Sequence, residues 1–63
     1  MTKTNARVKL VGNDGNAFII LGAVSKAIKR SDHPELVTEF MDKATKGDYN
    51  NLLCVCMEYV EVY

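Results

Sequence analysis

Tryptophan is absent from this sequence, and proline and histidine occur once each, at Pro34 and His33. Cysteine occurs only as Cys54 and Cys56, and net charge is missing: 8 Lys and Arg offset 8 Asp and Glu. Each shortage excludes something. On a helix, residues two apart point about 200° away from each other, so the cysteines cannot share a metal ion. A disulfide between them would distort the backbone severely, which favours one or both as small buried hydrophobes over redox groups. A neutral chain argues against a nucleic-acid binder driven by counterion release, and equally against an acidic mimic of DNA. The longest apolar run, Ala17 to Val24 interrupted by Gly22, is about a third of a membrane span. The segment from Met1 to Lys9 is polar and has no apolar signal-peptide core. A soluble, cytoplasmic protein is therefore the expectation.

What is present is a chain of 63 residues, 48% of them hydrophobic, enough for one domain over residues 1–63 and too apolar for disorder. Residues 1–6 are expected to be flexible. Apolar burial at this size contributes ~90 kcal/mol, and ordering the chain costs about the same. A domain so balanced is helped by a disulfide, a metal or another protein surface. The sequence contains no visible staple of the first two kinds.

Arg7-Val8-Lys9-Leu10-Val11 alternates charged and apolar side chains, the period-2 signature of a half-buried strand. It ends at Gly12-Asn13-Asp14-Gly15, all turn formers, after which Asn16 can cap a helix from Ala17 to about Arg30. Asp32-His33-Pro34-Glu35 reads as a capping box with proline in the first turn. Leu36, Val37, Phe40, Met41 and Ala44 follow as an apolar stripe that Gly47 terminates. Asp48 caps a third helix, in which Tyr49, Leu52, Leu53, Cys56 and Val60 share a face. Tyr59-Val60-Glu61-Val62-Tyr63 alternates again, so the helix-to-strand change falls near Glu58 to Val60. The expected fold is α+β, in the order β-α-α-α-β. The two terminal strands pair with each other, more naturally antiparallel, under three helices. Such a pairing brings Arg7 and Lys9 near Glu58 and Glu61.

The first helix carries more apolar surface than its docking needs. Ala17, Ile20, Leu21, Val24, Ala27 and Ile28 gather in one arc, while Phe18 and Ile19 fall outside it at about 100° and 200°. Gly22 lies beside them as a shallow spot. Either the third helix covers these side chains or a partner does. The third helix has its own strays in Cys54, Val55, Met57 and Tyr59. Phe18, Ile19, Gly22, Tyr59 and Tyr63 are the expected residues of partner or oligomer contact, since aromatic anchors dominate interfaces.

Groups that invite a chemical reading have simpler explanations. His33 lacks a positioned nucleophile and an orienting carboxylate, and with Asp32 it offers two metal ligands at most. The Gly12-Asn13-Asp14-Gly15-Asn16 loop could cradle an anion at a helix N-terminus. It matches no phosphate-loop spacing, however, and Asp14 would repel phosphate. Asp48 and Tyr49 are explained by capping and packing. Glu35, Glu39 and Asp42 form a solvated face. Lys26, Lys29 and Arg30 lack the aromatic interleaving of a nucleic-acid surface. No catalytic residue, cofactor or metal site is expected.

The run from Val8 through Gly12-Asn13-Asp14-Gly15-Asn16-Ala17-Phe18 to Ile20-Leu21-Gly22 resembles the opening "KLxGxDGNAFxILG" of a small prokaryotic family. Gly47-Asp48-Tyr49, Leu52-Leu53 and Met57-Glu58-Tyr59-Val60-Glu61-Val62 resemble its ending, "GDYxxLLxxxMEYVEV". The resemblance implies a setting in phages and mobile elements within bacterial cells, with no established activity. A small protein without catalytic groups in that setting suggests an inhibitor that occupies a host protein, such as a defence component. The expected function is thus a non-enzymatic protein-binding module that forms a homodimer or higher homo-oligomer. The alternative is a small-ligand or nucleotide sponge using Asn13, Asp14, Gly15 and Asn16. A nucleic-acid-binding accessory role ranks third.

Overall fold

A computed structural model describes residues 2–10 and 16–63. The elements are β1 (Arg7–Val8), α1 (Ala17–Lys29), a 3-10 turn (Pro34–Leu36) running into α2 (Val37–Ala44), α3 (Tyr49–Tyr59) and β2 (Glu61–Val62). The fold is α+β in the expected β-α-α-α-β order, with β1 and β2 forming a two-stranded sheet.

The strands are parallel, not antiparallel, with Arg7 opposite Glu61 and Val8 opposite Val62. Alternation decides which side chains face inward and carries no strand direction. A parallel pair needs a long crossover, which the helices between β1 and β2 supply. Half of the expected cross-strand charge match survives the change in direction: Arg7 Nε lies 3.1 Å from Glu61 Oε2, whereas Glu58 pairs with Lys3 and Lys43 instead. Pairing also runs past both short strands. The Thr4 amide donates to the Tyr59 carbonyl at 3.0 Å, Glu61 to Ala6 at 2.9 Å, Tyr63 to Val8 at 3.0 Å and Leu10 to Tyr63 at 2.9 Å. Residues 2–6 are therefore fastened rather than loose. Thr4 is buried, and its hydroxyl donates to the Tyr59 carbonyl at 2.8 Å.

Each helix begins and ends for local reasons. Asn16 Oδ1 accepts from the Phe18 and Ile19 amides at 3.0 and 3.3 Å, satisfying two first-turn donors of α1. Lys26 and Lys29 occupy its last turn, where cations suit the helix dipole. The expected capping box does not form. Asp32 and Asn5 instead bond reciprocally, Asn5 N to Asp32 Oδ1 at 2.9 Å and Asp32 N to Asn5 Oδ1 at 3.1 Å. Glu35 Oε2 sits 3.0 Å from His33 Nδ1. Pro34 thus opens a 3-10 turn without a side-chain cap, and α2 starts only at Val37.

Helix α2 stops at Ala44, before Gly47. Gly47 is needed for close approach: a Cβ there would lie 2.7 Å from the Asn51 Cβ. Asn51 is itself held by its Nδ2 donating to the Lys43 carbonyl at 3.1 Å. Asp48 caps α3 by accepting from the Asn51 amide at 2.9 Å. Asp48→Ala is expected to cost about 1 kcal/mol. In a domain this size that lowers Tm by roughly 4–8 °C in a thermal melt followed by circular dichroism.

The core is built by Ile20, Val24 and Ile28 from α1, Phe40 and Ala44 from α2, and Leu52, Cys56 and Tyr59 from α3. Val8 and Val60 close it beside the sheet. Phe40 and Tyr59 meet edge to face, with centroids 5.5 Å apart and an interplanar angle of 74°. The remaining surface, 4126 Å², agrees with the ~4,000 Å² that scaling gives for this mass.

Candidate functional site

Helix α1 enters the fold with Ile20 inward, which sends Phe18 and Ile19 to other faces of the same turn. Phe18 is 84% exposed and Ile19 56%. Helix α3 does not cover them, so the internal explanation for these residues fails. Phe18 forms one wall of a groove of about 310 Å³ between α1 and the α2–α3 connection. Ala17, Leu21, Ala44, Tyr49 and Leu52 supply its apolar lining, and Asp48 is its one charged lining residue. Phe18 and Leu21 also belong to a second groove of about 470 Å³, which follows α1 past Gly22 and Ser25 to Lys26 and Lys29. Met41 forms its opposite side, and the Ser25 hydroxyl donates to Met41 Sδ at 3.0 Å. The two depressions adjoin at Phe18 and Leu21 and together form the α1 furrow, with the acidic Asp48 lining the first and the basic Lys26 and Lys29 lining the second.

Gly22 lies within this furrow, exposed, with nothing among the described residues beyond its own helical turn inside 4 Å of where a Cβ would be. Tyr59 and Tyr63 do not join it. Tyr59 is wholly buried, which removes it from any contact surface and corrects its expected place among the contact residues. The cause is tertiary: its ring is enclosed against Phe40, and α3 continues through it. Tyr63 is half exposed on the outer face of the sheet, where the Arg7 guanidinium stacks 4.8 Å from its centroid. Tyr49 and Met41, which the helical stripes assign to the core, are partly exposed instead and line the furrow. Met41 stands at the edge of its stripe, which is the available signal, whereas Tyr49 lies mid-stripe in the first turn of α3 and gives none.

A polar cluster surrounds the Tyr59 hydroxyl, which donates to Glu39. Lys3 Nζ lies 3.4 Å from Glu39 and 3.1 Å from Glu58, and Lys43 Nζ lies 3.3 Å from Glu58. Both ammonium groups also approach the Tyr59 ring, at 4.9 and 5.7 Å from its centroid. Burial first, then the bond to Glu39, pushes the Tyr59 phenol up to about 12. The same bond holds Glu39 below the usual carboxylate range, while Lys3 and Lys43 hold Glu58 below it. Every group here is engaged by another, so the cluster fastens the N-terminal segment to α2 and α3.

Asn13, Asp14 and Gly15 of the suggested ligand loop lie outside the described residues, as does Gly12. Asn16, at its end, engages the two α1 amides that an anion there would use. His33 is exposed between Glu35 and Asp32, the latter 3.8 Å from Nε2. Among the described residues no three histidine, cysteine or carboxylate side chains gather as a metal site. Cys54 is exposed and Cys56 buried, both free. Burial pushes the Cys56 thiol up to about 11, which suppresses its thiolate. Among the described residues no helix is long and apolar enough to cross a membrane. A scan against protein-family models and searches of curated proteins and solved structures return no match for this chain.

Proposed function

We propose that this chain is a non-catalytic protein-binding module whose contact surface is the α1 furrow centred on Phe18. In the phage or mobile-element setting that its sequence resembles, it acts as an inhibitor. It forms a homo-oligomer and occupies the surface of a host protein, such as a defence component. One observation carries this reading: a phenylalanine 84% exposed on a domain whose core closes without it. Covering that side chain is worth about 1.5–3 kcal/mol, a gain the isolated fold forgoes. Aromatic residues beside an apolar groove are the usual anchors of interfaces.

Phe18→Asp tests the reading, because an exposed position tolerates aspartate without loss of core packing. The variant is expected to melt within a few degrees of the parent. It should lose self-association in sedimentation and capture of a partner from the host cell. Unchanged oligomer mass together with unchanged capture would show that the surface is not used.

A further inference from the structure

We infer that the occupant of the α1 furrow in solution is a second copy of this chain, docked with the two α1 helices antiparallel about a twofold axis. The inference rests on the binding-module reading and names the partner at that surface. It starts from Gly22. Glycine in the interior of a helix is destabilising relative to alanine, and here the fold gains nothing in exchange. Among the described residues, no atom beyond its own helical turn lies within 4 Å of the missing Cβ. A glycine that its own fold does not require, lining an exposed furrow, suits the close approach of another backbone.

The furrow side of α1 is a stripe of Phe18, Gly22, Ser25 and Lys29, spaced 4, 3 and 4 along the helix. That spacing reads the same in both directions, as an isologous contact requires. Antiparallel docking sets Gly22 against the partner's Ser25, so that two small side chains meet at the crossing. Phe18 then faces the partner's Lys29, whose stem covers the ring while its ammonium meets the aromatic face. Charge agrees with the same arrangement. The acidic Asp48 lines the first depression, and the basic Lys26 and Lys29 line the second. A twofold axis lays each basic depression on the other copy's acidic one. The two Lys29 ammonium groups stay well apart. Parallel docking would stack Lys26 and Lys29 on themselves.

Sedimentation equilibrium from micromolar to millimolar protein tests this with Gly22→Leu and Lys29→Glu. Gly22→Leu is the sharper variant, since a side chain there meets open space and leucine is the better helix former. At dilution its Tm is expected to equal or exceed that of the parent, while its dimer dissociation constant rises about tenfold or more. Lys29→Glu should weaken the dimer and invert its response to salt. The register is read directly in a Cys54→Ser background. Mixed Gly22→Cys and Ser25→Cys proteins should cross-link to each other in preference to themselves. A dimer that persists in Gly22→Leu, or cross-linking without that preference, overturns the inference. If the parent stays monomeric to millimolar while Phe18→Asp still loses partner capture, the inference falls and the binding-module reading stands. If Phe18→Asp changes nothing, that reading falls with it.

Discussion

Phe40→Ala is expected to leave no cooperatively folded protein at 25 °C. Phe40 is fully buried and is among the largest side chains in a core shared by three helices and the sheet. Truncating a buried phenylalanine costs about 3–5 kcal/mol through lost transfer energy and the cavity left behind. The edge-to-face contact with Tyr59 adds roughly another 0.5–1.5 kcal/mol. A domain of this length holds only about 3–5 kcal/mol in total unless something staples it. Both cysteines are free, so no covalent link moderates the loss. Helix α2 suffers most, because at 8 residues it is too short to persist without packing. Circular dichroism at 222 nm should show weak, non-sigmoidal melting. Phe40→Leu, which keeps more of the volume, should still melt cooperatively at a lower Tm. A Phe40→Ala protein melting within a few degrees of the parent would show that Phe40 is not central to this core.

The elements were legible because their signals are local. Asn16 and Asp48 are caps in the chain as in the fold, and the apolar stripes of α1 and α3 chose Ile20, Val24, Ile28, Leu52 and Cys56 correctly. What was not legible depends on residues far apart in sequence. Asp32 has the type and spacing of a capping residue, yet Asn5, 27 positions away, claims its carboxylate. Tyr59 has strand propensity and alternating neighbours. Its burial on Phe40 and its bond to Glu39 keep it in the last turn of α3, tertiary packing overriding local preference. Strand direction was hidden for another reason. Arg7 satisfies Glu61 in either orientation, so the charge match constrained register more than direction.

The contact surface was legible in part, for the same physical reason. A helical wheel shows that Phe18 and Ile19 cannot share the arc of Ile20 and Val24. It cannot show whether another helix reaches over them. That depends on where α3 crosses α1, and here α3 leaves Phe18 open. The furrow itself was invisible to sequence reading, because Asp48 and Tyr49 reach it from α3 and Met41 from α2. Gly22 was legible as a shallow spot, but only the empty space above it distinguishes a glycine its own fold does not need from one it requires.

Tyr59→Phe is expected to lower stability and flatten its pH dependence at both ends, because one hydrogen bond couples two titrating groups. Glu39 and Glu58 titrate below the ordinary carboxylate value in the folded chain. Their contribution is therefore complete above the unfolded value of 4.5 and is lost as pH falls through the lower folded values. Tyr59 shifts the other way, from 10 up to about 12. Its contribution is complete below pH 10 and is lost as pH rises toward 12. Lys3 is raised as well, chiefly by Glu58, and its share is likewise lost only in alkali. Stability should thus be flat from about pH 5 to 9, with an acid limb and an alkaline limb. Removing the phenol leaves Glu39 without its principal hydrogen-bond donor, so the acid limb becomes shallower. The part of the alkaline limb due to Tyr59 disappears. Tm at neutral pH should fall by several degrees, since a bond to an ionised acceptor is among the stronger kinds. Glu39→Gln separates the two effects: it removes the acid titration of Glu39 while its amide oxygen still accepts from the phenol. Thermal melts across pH for the parent and both variants measure this. Equal acid limbs in the parent and Tyr59→Phe would mean that the Tyr59–Glu39 bond contributes nothing to folding.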